Sequence, residues 1–233
     1  MEEIAIIGAM EEEVILLKKA IKLVGSKNIA GMDFIHGTYE NKNIVLVKSG
    51  IGKVNAAICA QILIDVFNVD CIINSGVAGA LHPDLEIGDV VISSDTVQHD
   101  MDTSAFGDPR GTIPRMSNSY FEADKKLVDI AREASKKLLA ENKVYVGRVA
   151  SGDQFISSIE QKTDIYQTFK AYCAEMEGAA IAHTCYLNQV PFVILRAISD
   201  KADGSAEVNF TSFTNLAAKN ATMIVSEIIK HLD

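Results

Sequence analysis

The sequence predicts an α/β fold built on a largely parallel sheet with helices on both faces. Two observations carry this expectation. Short β-branched runs alternate with longer helical patterns along the chain, and no low-complexity linker or internal repeat interrupts them. A strand, a crossover helix and a further strand bring the chain back in the same direction, which builds a parallel sheet covered on both sides. The 233 residues are expected as one domain, 1–233, long enough to bury a sizeable core without disulfides or metals.

Residues 4–8 read as a buried apolar strand, and 11–23 as a helix with apolar positions at Val14, Leu17 and Ile21. Residues 34–48 read as a hairpin turned at Asn41-Lys42-Asn43. After Gly50-Ile51-Gly52 a helix runs to Phe67, followed by strands at 71–75 and 89–93. Residues 99–119, rich in Gly, Pro and Asp, read as a loop. Next come a helix over 123–140, a strand over 144–150, a short helix near 160–168 and a strand over 172–174. Helix 177–187, strand 192–197 and a C-terminal helix from about Phe213 complete the chain.

The bulk numbers exclude some function classes. A net charge of -9 argues against a nucleic-acid surface, because phosphate backbones demand clustered Lys and Arg. The densest basic residues, Lys125, Lys126, Lys136 and Lys137, lie on a helical pattern and read as a solvated face. The start, Met-Glu-Glu, lacks the basic flank and long apolar run of a signal peptide, and no window approaches the roughly 20 apolar residues of a membrane span. Cys59, Cys71, Cys173 and Cys185 show no C-x-x-C spacing and sit in or beside apolar segments, so reduced thiols and a cytoplasmic location are expected.

In open α/β sheets ligands gather at the carboxyl ends of strands. Four such junctions carry unusual residues: Ala9-Met10-Glu11-Glu12-Glu13, Ser49-Gly50-Ile51-Gly52-Lys53, Glu175-Met176-Glu177-Gly178 and Ile198-Ser199-Asp200. Each has a plainer reading. Acids in a first helical turn complement the helix dipole, and Gly50 and Gly52 make a tight turn. They also begin a dinucleotide fingerprint, but its third glycine position holds Asn55. Ser199 and Asp200 suit a cap. His99, Asp100 and Asp102 read as loop hydrogen bonding rather than metal ligands, having no partner His at ligand spacing. His183 reads as a packed helix residue.

Taken together, the junctions point to chemistry. Glu13, Glu177 and Asp200 stand at three strand ends beside apolar or small residues rather than Lys or Arg. Carboxylates gathered around one cleft should have raised pKa values, a pattern that serves catalysis. Cleavage of an N-glycosidic bond to adenine needs such a set. A protonated acid makes the base a neutral leaving group, a carboxylate deprotonates the attacking water, and a further carboxylate grips the ribose hydroxyls. This chemistry requires no metal or organic cofactor.

The motifs Ile6-Ile7-Gly8-Ala9-Met10-Glu11-Glu12-Glu13, Ser49-Gly50-Ile51-Gly52-Lys53-Val54-Asn55, Glu175-Met176-Glu177 and Arg196-Ala197-Ile198-Ser199-Asp200 resemble the bacterial 5'-methylthioadenosine/S-adenosylhomocysteine nucleosidases. Residues 74–81, His99-Asp100-x-Asp102, Ala105-Phe106-Gly107 and Ser151-Gly152-Asp153-x-Phe155-Ile156 extend the resemblance in order across the chain. It implies a purine nucleoside phosphorylase-like fold, three-layer α/β/α with a mixed, barrel-like central sheet. It also implies hydrolysis of methylthioadenosine, S-adenosylhomocysteine and 5'-deoxyadenosine.

By the same resemblance Asp200 is the acid toward adenine N7, oriented by Ser199, and Glu13 is the base toward water. Met176 and Glu177 hold the ribose, Glu175 belongs with them among the substrate-binding residues, and Arg196 lies near the water and the acidic cluster. Phe155 stacks on adenine and Ile156 offers backbone hydrogen bonds to its edge. Met10, Ile51 and Phe210 line the 5' pocket. Phe106 and Pro114 reach the neighbouring site of a homodimer.

Two positions depart from the family pattern. Val77, in Val77-Ala78-Gly79, stands where many members have Ser, which removes a hydroxyl near the water. Asp108 replaces an aromatic residue and faces either the mouth of the 5' pocket or solvent. Three alternatives remain: a phosphorylase, which a carboxylate at Glu13 disfavours because it repels phosphate; an aminodeoxyfutalosine nucleosidase, differing in the 5' pocket; and a non-catalytic nucleoside-binding protein, which would be expected to lack Glu13 or Asp200.

Overall fold

A computed structural model describes residues 3–140 and 143–232; Met1 and Glu2, on which the reading of the N-terminus partly rests, lie outside them. The strands are β1 (Glu3–Gly8), β2 (Lys22–Ile29), β3 (Met32–Tyr39), β4 (Lys42–Lys48), β5 (Cys71–Ala80), β6 (Val90–Gln98), β7 (Tyr120–Glu122), β8 (Val144–Ser151), β9 (Cys173–Glu175) and β10 (Phe192–Asp200). The helices are α1 (Glu11–Ala20), α2 (Lys53–Phe67), α3 (Lys125–Leu138), α4 (Ile159–Phe169), α5 (Gly178–Asn188) and α6 (Ala206–His231), with a 3-10 turn at Ser104–Phe106.

The strands form one sheet, of which β10, β6, β8, β9 and β5 close into a ring because β10 also pairs with β5. From β5 the sheet continues outward through β1, β4, β3 and β2. Parallel pairings join β10 to β5, β6 to β8 and β8 to β9, while β10–β6 and β5–β9 are antiparallel. The sheet is therefore mixed and barrel-like, not largely parallel as the alternation of elements implied. Alternation along β1 separates the layers: Ala5 and Ile7 pack with Ala56 and Leu63 of α2 and Ile181 of α5, whereas Ile4 and Ile6 pack with Val14 of α1, Leu127 of α3 and Ile224 of α6.

β5 forks the sheet. Its first half pairs with β1, from Cys71 to Asn74, and its last two residues, Gly79 and Ala80, pair with β9. Between them one edge of β5 has neither strand beside it, and the Val77 amide there donates to the Glu13 side chain.

Several boundaries differ from expectation. The first helix stops at Ala20; Ile21 donates to the Leu17 carbonyl at 2.9 Å and turns extended, and β2 follows at once. β2 has mostly exposed residues on both faces, so it carries no apolar alternation to read. Two hairpins turn on two-residue left-handed pairs, Ala30-Gly31 and Glu40-Asn41, the second lying just ahead of the expected turn. β5 extends five residues past the expected strand through Gly76, Ala78 and Gly79, residues of low strand propensity. β6 likewise runs on to Gln98, and β7 falls just after the expected loop. Helix α6 begins at Ala206, ahead of Phe213, because Asp203 turns the chain by accepting from the Ser205 amide and hydroxyl.

Lys125, Lys126 and Lys137 lie exposed on α3, and Asp124 caps that helix by accepting from the Leu127 amide. All four cysteines are buried free thiols. Among the described residues no helix is long and apolar enough to cross a membrane.

Candidate active site

The fork opens a cleft of about 340 Å³ lined from seven segments of the chain. Ala9, Met10 and Glu13 come from the start of α1, Ile51 from the turn before α2, and Val77, Ala78 and Gly79 from β5. Phe155 comes from the loop after β8, Ala174 to Glu177 from β9 and the turn after it, Ser199 and Asp200 from the end of β10, and Phe210 from α6. A smaller depression of about 200 Å³ between Lys18, Asp33 and Lys48 brings no buried carboxylates together.

Glu13 is held by backbone amides that its own helix and β5 leave unpaired. Its Oε2 accepts from Ala9 at 2.6 Å and Met10 at 3.0 Å, and its Oε1 accepts from Val77 at 3.1 Å. The absence of a side chain at Gly76 makes room, because a Cβ there would collide with Glu13 Oε1 and lie 2.8 Å from Arg196 Nη1. Burial pushes the Glu13 carboxyl above its ordinary pKa, against the pull of Arg196 and the three amides.

Glu177 Oε1 accepts from the Gly52 amide at 2.8 Å, which ties the turn before α2 to the turn before α5. Burial, and then the charge of Glu175, push Glu177 up to about 7. Asp200 is buried too. Its Oδ2 accepts from the Ser199 hydroxyl at 2.9 Å and its Oδ1 from the Ala202 amide at 2.8 Å, while burial raises its pKa. Three raised carboxyls thus line one cleft.

One expectation needs correction: these acids are not without a basic neighbour. Arg196 lies fully buried beside the cleft rather than on its wall, and its charge acts on Glu13, Glu175 and Glu177. Its Nε donates to Glu175 Oε2 at 3.1 Å, and its Nη2 donates to Glu175 and, at 2.5 Å, to Asn74 Oδ1. Glu175 also accepts from the Ser151 hydroxyl and the Glu177 and Gly178 amides, so its oxygens are engaged within the protein.

The remaining wall is apolar. Phe155 and Phe210 meet edge to face at 5.6 Å, and Phe155 and Ile51 are about half exposed, 46% and 53%. Ile156 is buried in a separate cluster with Leu81 and Phe169. Phe106 is 89% exposed and Pro114 is exposed, and neither lines the cleft of its own chain. Asp108 is also absent from the wall and accepts from the Thr103 hydroxyl at 3.2 Å.

The residues weighed for other roles are placed as follows. Lys53 donates to Asp153 through its amide and to Asp100 through its ammonium at 2.6 Å, so Gly50-Ile51-Gly52-Lys53 is bonded to carboxylates. Asp102 accepts from the Ser104 amide, and His183 stacks on Phe121 at 4.7 Å. Among the described residues no group of three or more His, Cys, Asp or Glu is arranged to hold a metal.

The sequence reading gave no role to Ala9 and Ala174 on the wall, nor to Asn74 and Ser151 in the network beside it. Asn74 carried a usable signal, a polar residue inside an apolar strand. The two alanines carried none.

Residues 3–230 match the Phosphorylase superfamily. The chain is 46% identical to a 5'-methylthioadenosine/S-adenosylhomocysteine nucleosidase of Staphylococcus saprophyticus, over 97% of this chain and 99% of that one. Its fold is similar to the crystal structure of the 5'-methylthioadenosine/S-adenosylhomocysteine nucleosidase of Neisseria meningitidis in complex with methylthio-immucillin-A, with TM-score 0.95, 40% identity and 100% of both chains covered. It is also similar to a futalosine hydrolase of Helicobacter pylori, with TM-score 0.93, 36% identity, and 99% and 98% covered. The chain therefore belongs to the phosphorylase superfamily and, within it, to the 5'-methylthioadenosine/S-adenosylhomocysteine nucleosidase family.

Proposed function

We propose that this protein hydrolyses the N-glycosidic bond of 5'-methylthioadenosine and S-adenosylhomocysteine, and of 5'-deoxyadenosine, releasing adenine and the 5-substituted ribose. The observation that carries the reading is that Glu13 and Asp200, two buried carboxyl groups with raised pKa values, line one mostly apolar cleft. Asp200 protonates adenine N7, so the base departs neutral as the glycosidic electron pair moves onto it. Glu13 takes a proton from the water that attacks the oxocarbenium-like sugar. Glu177 and Met176 hold the ribose, Phe155 stacks on the base, and the Ile156 backbone meets its edge. Met10, Ile51 and Phe210 surround the 5' substituent. The Val77 amide, bonded to Glu13, supports the base where a serine hydroxyl is missing.

Among the described residues the cleft wall carries no Lys, Arg or His, and the Arg196 guanidinium is engaged by Glu175 and Asn74, which favours water over phosphate as nucleophile. The similarity to a futalosine hydrolase keeps aminodeoxyfutalosine as a second substrate reading. The protein acts as a homodimer in which Phe106 and Pro114 complete the neighbouring site, a reading supported by the exposure of Phe106. The buried free thiols suit the reducing cytoplasm. The deciding experiment measures adenine release from methylthioadenosine, S-adenosylhomocysteine and aminodeoxyfutalosine, with and without phosphate. Release from the first two without phosphate supports the proposal. Dependence on phosphate, or turnover of the third alone, overturns it.

A further inference from the structure

Asp200 is followed by a turn that the chain does not adopt readily. Ala202 has φ +50, a left-handed conformation that costs a residue with a Cβ, and it is fully buried. The turn aims the Ala202 amide at Asp200 Oδ1, 2.8 Å away. Gly79 accommodates it from β5, since a Cβ there would lie 2.7 Å from Asp200 Oδ1 and 3.0 Å from the Ala202 Cβ. On another side Lys162, in the first turn of α4, donates its ammonium to the Lys201 carbonyl at 2.6 Å. Lys201 in turn donates to the Leu85 carbonyl and pairs with Glu86, both at 2.6 Å.

Lys162 is half-buried, and among the described residues it forms no ion pair within 4.0 Å. A long charged side chain loses rotamer freedom and hydration in such a place. Its hydrogen-bond partner is the carbonyl of the Lys201–Ala202 peptide, the same peptide whose N–H meets Asp200. A surface charge pair does not account for that arrangement; a fastening does.

We propose that Lys162 is a positioning residue for Asp200: by holding the Lys201 carbonyl it fixes the left-handed turn that presents the Ala202 amide to the acid. This rests on the reading of Asp200 as the acid that protonates the leaving base. Of the charges around Asp200, Asp203 acts more strongly and opposes its ionised form, while Lys162 favours it. Lys162 in turn senses Asp203, Lys201, Asp200 and Glu86. Removing Lys162 takes away a positive charge and loosens the amide bond. Both changes favour the protonated carboxyl, so the basic limb of kcat/KM moves to higher pH while alignment suffers.

The test compares Lys162→Met, Lys162→Arg and the unaltered protein by amide hydrogen exchange at Ala202 and by pH profiles of adenine release from methylthioadenosine. In Lys162→Met, Ala202 is expected to lose protection, kcat to fall about 10-fold through misalignment, KM to stay nearly constant and the basic limb to rise. Lys162→Arg, which keeps charge and donor, should restore the protection, kcat and the basic limb. Unchanged protection at Ala202 with an unmoved basic limb in Lys162→Met overturns the proposal. If the unaltered protein releases no adenine, the hydrolase reading fails instead, and the exchange measurement still decides whether Lys162 holds the turn.

Discussion

Arg196 and Glu175 form an ion pair inside the protein, each side chain 2% exposed, with the Asn74 side-chain oxygen accepting a further guanidinium bond. Such a pair adds little stability against a well-packed apolar alternative, but removing one member strands the other charge away from water. Arg196→Met should therefore lower unfolding stability by about 3–5 kcal/mol, read from urea denaturation. A midpoint equal to that of the unaltered protein would show that water or another cation reaches Glu175.

Asp200→Asn should keep the fold and lose about 10²–10⁴-fold in kcat, the usual contribution of a positioned acid. The amide retains the acceptor for the Ala202 N–H but has no acidic proton to give. Steady-state adenine release checks this, and full activity would remove Asp200 from the mechanism.

Glu13→Gln should bind methylthioadenosine and fail to turn it over. Its amide keeps one oxygen for the neighbouring backbone donors but cannot accept a proton from water. Calorimetric titration separates the cases: loss of binding would make Glu13 a ligand-holding group rather than a base.

Glu177 makes stability depend on pH in a definite direction. Its folded pKa, about 7, lies above its ordinary 4.5, so the native state binds the extra proton in that window. The stability it contributes is fully present below about pH 4.5 and is lost as pH rises through 7. Glu177→Gln should flatten the fall of the urea midpoint between those values. An unchanged slope would place the titration elsewhere.

The acids of the site were readable from sequence because residue type and strand-end position together carry information. Glu13, Glu177 and Asp200 each follow an apolar run, and all line the cleft. Their partner was not readable in the same way. Arg196 meets Glu175 across 21 residues and Asn74 across 122, distances that no local pattern encodes. Edge strand β2 escaped because solvent on both faces erases the two-residue period, and the end of β5 escaped because Gly and Ala read as a loop. Lys162 carries no signal in sequence, because its acceptor is a carbonyl 39 residues away, beside Asp200.

The forked edge of β5 means that the same stretch of backbone serves as both framework and reagent holder. Side chains alternate between faces along a strand, so loss of one residue between Ile72 and Ser75 would turn Gly76, Val77 and Gly79 over together. The open space beside Glu13, the amide that steadies it and the room beneath Asp200 would vanish in one step. A helix on the outside can drift in length or composition without that penalty. The constraint falls on a run of small, chemically inert residues.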